Sequence, residues 1–222
     1  MSILDSAPWF DIAGTLVKLA ASQELHSYWN LLRGARSAPE RSQIDPGAIR
    51  GVLADTFILE VDAPSRYPLR IVGARTNALF LRELRGAPFL DLWQEPDRRE
   101  IAAMLSEVAG EAVAVVAGAS AAPEGLRAVE VELLLLPLRH HGDTHSRVLG
   151  ACSPAFLPSW IGLAPAAPMR LFSLRVLESV ESANDVQSPA ADGRAKAVGF
   201  SRAPSVDRRG HLFIFSNAPP HG

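Results

Sequence analysis

Apolar residues recur at helical spacing from Leu19 to Gly34. Leu25, Tyr28, Trp29 and Leu32 fall at i, i+3, i+4 and i+7 and share one helix face. Gly34 supplies a stop. Pro39 to Gln43 is a polar connector, and Asp45-Pro46 reads as a second helix start. A capping carboxylate there precedes a proline whose missing N–H costs nothing in the first turn. That helix is expected to run to about Leu53 and to bury Ile49 and Leu53. "TFILEV" (56–61) is rich in strand formers. "DAPSRYP" is turn material, and "LRIVG" (69–73) is a second short strand close enough to pair with the first as a hairpin.

The period then changes several times. Asn77 to Arg85 reads as helix with Leu79, Phe80 and Leu84 inward, and Gly86 ends it. "FLDLW" (89–93) is at most one helical turn. Pro96 suits a helix N1 position, with Glu95 and Asp97 where the helix dipole favours acids. Ile101, Met104, Leu105 and Val108 give the cleanest helical face in the chain, closed by Gly110. Three strands follow: "AVAVVAG" (112–118), "RAVEVELLLLPL" (127–138) and "RVLGAC" (147–152). The middle one alternates through Val129, Val131, Leu133 and Leu135, and Pro137 marks its end or an edge. "RHHGDTHS" (139–146) is the hairpin loop between the last two. "RLFSLRVL" (170–177) is strand or helix. Residues 181–210 have few large apolar groups and read as a disordered linker, interrupted by "HLFIF" at 211–215.

Two strands, several short helices, one longer helix and then three strands joined by short turns predict an α+β fold. The expected architecture is a five-stranded antiparallel sheet with one helical layer on one face. The expected organisation is an amino-terminal segment over 1–45, a domain over 46–180 and a flexible tail over 181–222. With 222 residues, 48% of them hydrophobic, a sizeable core is possible. The net charge of −2 shows no basic excess that would point to nucleic acid. No basic amphipathic stretch points to a membrane surface, and the longest aliphatic run, Leu133 to Leu136, is far too short to span a bilayer. "MSILDSAPWFD" lacks the cationic start of a secretory signal. The single cysteine, Cys152, excludes an intramolecular disulfide and fits a reducing compartment. A cytoplasmic location is expected.

The segments "YWNLLRGAR", "RIVGARTNALFLRELRGAPFLDLW" and "VELLLLPLRHHG…RVLGA", in that order, resemble small bacterial stand-alone PAS-domain proteins. The similarity covers roughly Tyr28 to Val180. It implies one PAS core with an amino-terminal helix and a short tail, no attached output domain, and a space between helices and sheet that such folds commonly use for a small ligand. On that reading Phe80, Phe89, Trp93 and Met104 line the space. The plainer reading is that these four side chains simply fill the core.

The cofactor stays unknown. Haem ligation in PAS domains needs a histidine on a pocket helix, and none of the 6 histidines lies in 74–110. Flavin adduct formation needs a cysteine there, and Cys152 is elsewhere. His140, His141, Asp143 and His145 are metal-ligating types, but zinc sites use two ligand pairs from separate elements, and a polar turn explains this cluster. Glu130 and Glu132 share one strand face, and the nearby Arg127 and Arg139 make an ionic, solvent-facing edge the favoured reading. No GxSxG elbow, phosphate-cradling loop, HExxH or CxxC occurs.

The resemblance therefore implies a sensory or regulatory module in signal transduction, acting through a small ligand, a protein partner or both, with no catalytic activity of its own. The alternatives are a constitutive adaptor without ligand and a small cone-fold isomerase or hydratase. The latter needs an acid–base pair, and the pocket segments offer mainly Arg82, Glu83 and Asp91, which read as surface. Leu25, Tyr28, Trp29 and Leu32 are expected to form a dimer or partner interface outside the core. Leu212, Phe213 and Phe215 are expected to dock on a sheet edge or a partner.

Overall fold

The computed structural model describes residues 17–61, 66–142 and 145–177, and the backbones of 205–209 and 212–216. Helix α1 (Ala20–Arg33) ends where its apolar period ends, at Gly34, whose φ of 55° lies in the left-handed region that favours glycine. Past a 3-10 turn at Arg41–Gln43, residues 46–55 form consecutive turns instead of the expected helix. Val52 N–H bonds to Ile49 and Asp55 N–H to Val52, both at 3.0 Å, so the hydrogen bonds span three residues. Gly47 and Gly51 lower helix propensity there. Ile49 is buried as expected, whereas Leu53 is 38% exposed and Val52 is buried in its place.

Strands β1 (Thr56–Glu60) and β2 (Leu69–Val72) pair antiparallel. At Gly73 the chain crosses the preceding turn so closely that a Cβ would sit 2.3 Å from the Ala54 carbonyl oxygen, which only glycine permits. Helix α2 (Ala74–Phe80) starts there and stops sooner than the sequence predicts, because Leu81 turns left-handed at φ 50°. Asn77 Oδ1 accepts the Leu84 N–H at 3.1 Å, so Leu84 is buried from a turn and not from a helix. A 3-10 turn at Phe89–Leu92 leads into α3 (Glu95–Gly110), with Pro96 in its first turn and Ile101, Met104, Leu105 and Val108 all buried.

Strands β3 (Ala114–Ala121), β4 (Val129–Leu138) and β5 (Arg147–Pro154) follow. "RLFSLRVL" resolves as a strand, β6 (Arg170–Leu177), paired antiparallel with β3. The antiparallel sheet therefore has six strands in the order β2-β1-β5-β4-β3-β6, not five. The backbone of Ser205–Arg209 forms β7 and that of Leu212–Ser216 forms β8, which runs parallel to β6. Of the two docking places considered for the apolar tail, β8 takes the chain's own sheet edge. The expected linker lies outside the described residues except for 205–209, which are strand.

Both sheet faces are covered: the short helices form one layer on one face, as expected, and the amino-terminal helix covers the other. Helices α2 and α3 lie on one face with Leu133, Leu135, Phe57 and Leu59. Helix α1 and the 44–52 turns lie on the other with Leu134, Leu136, Leu138, Ile58 and Leu149. The unbroken leucine run of β4 is what a strand buried on both faces requires. Leu25 and Trp29 are buried in this second core, with Tyr28 and Leu32 partly buried against it. The apolar stripe of α1 is thus not an exposed surface outside the core: it packs on this chain's own sheet.

Candidate functional site

Between the helices and the sheet, Phe80, Phe89, Trp93 and Met104 are all buried in one cluster. Phe89 lies 5.4 Å from Phe57 and 5.9 Å, edge to face, from Trp93, measured between ring centroids. Trp93 is held on the backbone as well, because Met169 donates to the Leu92 carbonyl at 2.8 Å and Gln94 donates to the Met169 carbonyl at 2.9 Å. Its indole Nε1 is buried and has no hydrogen-bond partner among the described residues. It is the one orphaned polar side-chain atom found within this cluster among the described residues, and leaving such a donor unpaired costs about 1–3 kcal/mol. Tyr67 belongs to the same region although its sequence context reads as turn. It is buried at φ 50°, and its hydroxyl lies 3.1 Å from Ser106 Oγ and 3.3 Å from the Ala102 carbonyl on α3.

Glu132 is not a solvent-facing charge. Its carboxylate accepts the backbone N–H groups of Lys18 at 2.9 Å and Leu19 at 3.1 Å, fastening the chain that leads into α1 to β4. Glu130 Oε2 is buried and unpartnered on the same strand face, and so are Ser22, Asp55 and Ser153 oxygens elsewhere among the described residues. Arg139 instead pairs with Glu40 at 3.6 Å. Asp55, at the start of β1, pairs with Arg75 of α2. Cys152 is fully buried, and desolvation, aided by the Asp55 charge, pushes its thiol up to about 12, so it stays protonated and poorly nucleophilic.

The histidine turn opens on a different feature. The His140 and His141 rings lie with centroids 3.9 Å apart and planes tilted by 47°, while His145 Nε2 lies 3.0 Å from Ser37 Oγ and so turns toward another segment. Asp143 lies outside the described residues. Among the described residues no three His, Cys, Asp or Glu side chains converge as a metal ion would need. His140 and His141 instead border a surface cleft of about 570 Å³, on the sheet face away from α2 and α3. A second cleft, of about 380 Å³, lies between the start of α1 and Asp55, Arg75 and Ser153. Neither cleft is lined by Phe80, Phe89, Trp93 or Met104.

An antiparallel sheet with its short helices inserted between the second and third strands defines a PAS-type α+β module. The family comparison carries this to an assignment: the model for the PAS domain matches residues 17–153, and the chain belongs to that family. The match takes in α1, so the amino-terminal helix is part of what the family model covers. PAS domains are in general sensory or regulatory modules and not catalysts. Comparison with curated proteins and with solved structures finds no match. No helix among the described residues is long and apolar enough to cross a membrane.

Proposed function

We propose that this chain is a sensory PAS module of signal transduction, cytoplasmic and without catalytic activity, that passes the state of its helix–sheet interior to a protein partner. The observation that carries the reading is Trp93 Nε1, a buried donor with no acceptor at the place where the helices meet the sheet. A small molecule offering an acceptor there would gain a hydrogen bond in an apolar surround. To enter, it must displace part of the cluster formed by Phe80, Phe89 and Met104. The segments that would give way are short: α2, the 3-10 turn and the turns around Leu81 and Gly86. A ligand that fits one arrangement of these segments better than another shifts their population, and the partner reads the change.

Native mass spectrometry of the purified chain and of Trp93→Phe tests this. A bound mass in the wild type that is lost in Trp93→Phe is the expected result. A constitutive adaptor is the second reading, favoured by the near-complete burial of Phe80, Phe89, Trp93 and Met104. It predicts an apo mass for both proteins and unaltered partner capture by Trp93→Phe.

A further inference from the structure

The cleft beside the histidine turn is built from three separate parts of the chain. Glu40, Arg41 and Ser42 come from the connector after α1, Ile58, Arg70 and Ile71 from β1 and β2, and His140, His141 and Arg147 from the β4–β5 turn and β5. Its apolar floor is Ile58 and Ile71, the latter 44% exposed. Glu60 is shared by two guanidiniums, with Arg70 at 2.6 Å and Arg147 at 3.2 Å. Glu40 pairs with Arg139. Arg41 has neither an ion-pair nor a side-chain hydrogen-bond partner among the described residues. Three guanidiniums (Arg41, Arg70, Arg147) and one carboxylate (Glu40) thus line the cleft, with Glu60 bonded to Arg70 and Arg147.

We infer that this cleft binds a small organic phosphate, its dianionic group met by Arg41 with Arg70 and Arg147 and its apolar part laid on Ile58 and Ile71. Guanidiniums suit phosphate because their forked donors match its oxygens. The volume far exceeds an inorganic ion and leaves space for an organic body over the isoleucines. The field at His140 agrees: its pKa is lowered by desolvation first and then by Arg147 and His141, which outweigh Glu40 and Glu60. The site lies across the sheet from the helix–sheet interior, so it stands or falls independently of the sensory reading given above.

Phenyl phosphate, inorganic phosphate and phenol, titrated into the full chain at constant ionic strength, test the inference by calorimetry. Saturable one-to-one binding of phenyl phosphate is expected, tighter than inorganic phosphate by roughly tenfold, about 1.4 kcal/mol, and with phenol silent. Arg41→Gln is expected to weaken phenyl phosphate by tenfold or more. Arg99→Gln, which removes an equal charge from exposed α3 on the opposite face, is expected to leave it unchanged. Followed by NMR, the His140 imidazole pKa is expected to rise on addition of phenyl phosphate, because the bound anion offsets the Arg147 field. Equal loss in both variants, phenol binding as well as phenyl phosphate, or no saturable binding overturns the site. A phosphotyrosyl peptide binding more than tenfold tighter than phenyl phosphate overturns the small-molecule assignment in favour of a modified partner chain.

Discussion

Trp29 Nε1 donates a 2.8 Å hydrogen bond to the carbonyl oxygen of Pro137, joining α1 to β4 across 108 residues of sequence. The indole also packs in the second core and carries Arg33 over its face at 5.3 Å. Trp29→Ala is therefore expected to cost ~3–5 kcal/mol in denaturant unfolding, as a large-to-small core change does. Trp29→Phe keeps most of the packing and removes the donor, for about 1 kcal/mol. Self-association through this stripe would require α1 to leave the sheet. An unchanged midpoint in Trp29→Ala would mean that the helix does not dock there.

Trp93 presents the opposite case, a buried indole whose N–H is unpartnered. Trp93→Ala is expected to cost ~3–5 kcal/mol. Trp93→Phe removes an unsatisfied donor together with some apolar volume. It is expected to cost less than Trp29→Phe in the ligand-free protein, as read from paired melting curves. A larger cost would show that Nε1 has an acceptor in solution.

Asp97 is expected to tie α3 to β6. Its Oδ2 accepts the Leu171 N–H at 2.8 Å, and the carboxylate is buried. Asp97→Ala leaves that N–H without an acceptor and is expected to cost ~1–3 kcal/mol and to speed exchange of the Leu171 amide. Asp97→Asn retains an oxygen acceptor and should retain most of the protection. Equal effects of the two variants would assign the loss to the helix-end charge alone.

His26 gives the fold an acid sensitivity. It lies 6.2 Å from Trp29, centroid to centroid, and its pKa is lowered by partial burial and then by Arg33. The unfolded chain, near the ordinary value of about 6.5, then binds the proton more readily than the folded one. Stability from this group is present above that value and is lost as pH falls from it through the lower folded pKa. His26→Gln is expected to flatten the stability–pH curve in that window, measured by denaturant midpoints at several pH values. An unchanged slope would remove His26 from the account.

Local period made α1 and α3 legible in the sequence. Helix faces repeat within a few residues, and Gly34, Pro96 and the acids beside it punctuate them. The strands of the two hairpins were legible for the same reason, from alternation and short turns. Period is silent about conformation at a single residue. The left-handed turn at Leu81 shortened α2, and Gly47 and Gly51 replaced a helix by turns, although Ile49 still reached the core.

The candidate sites were less legible. Phe80, Phe89, Trp93 and Met104 read correctly as inward residues, because burial follows from apolar spacing, but nothing local shows whether the indole N–H of Trp93 finds an acceptor. Tyr67 sat in turn-like sequence, and its role comes from Ser106 and Ala102 on α3. Glu132 read as a surface charge because its partners, the N–H groups of Lys18 and Leu19, are 114 and 113 residues away.

The sequence by itself determined that apolar faces exist, how wide they are and which residues share them, since these follow from backbone geometry within one element. Only the tertiary structure decided what each face meets. Helix α1 lays its apolar stripe on the sheet because the outer positions of β4 and β5 are apolar too, and burying both surfaces together removes them from water. The cleft of Arg41, Arg70 and Arg147 exists only because β1 pairs with both β2 and β5. Charge from three distant segments then converges, which no local pattern encodes.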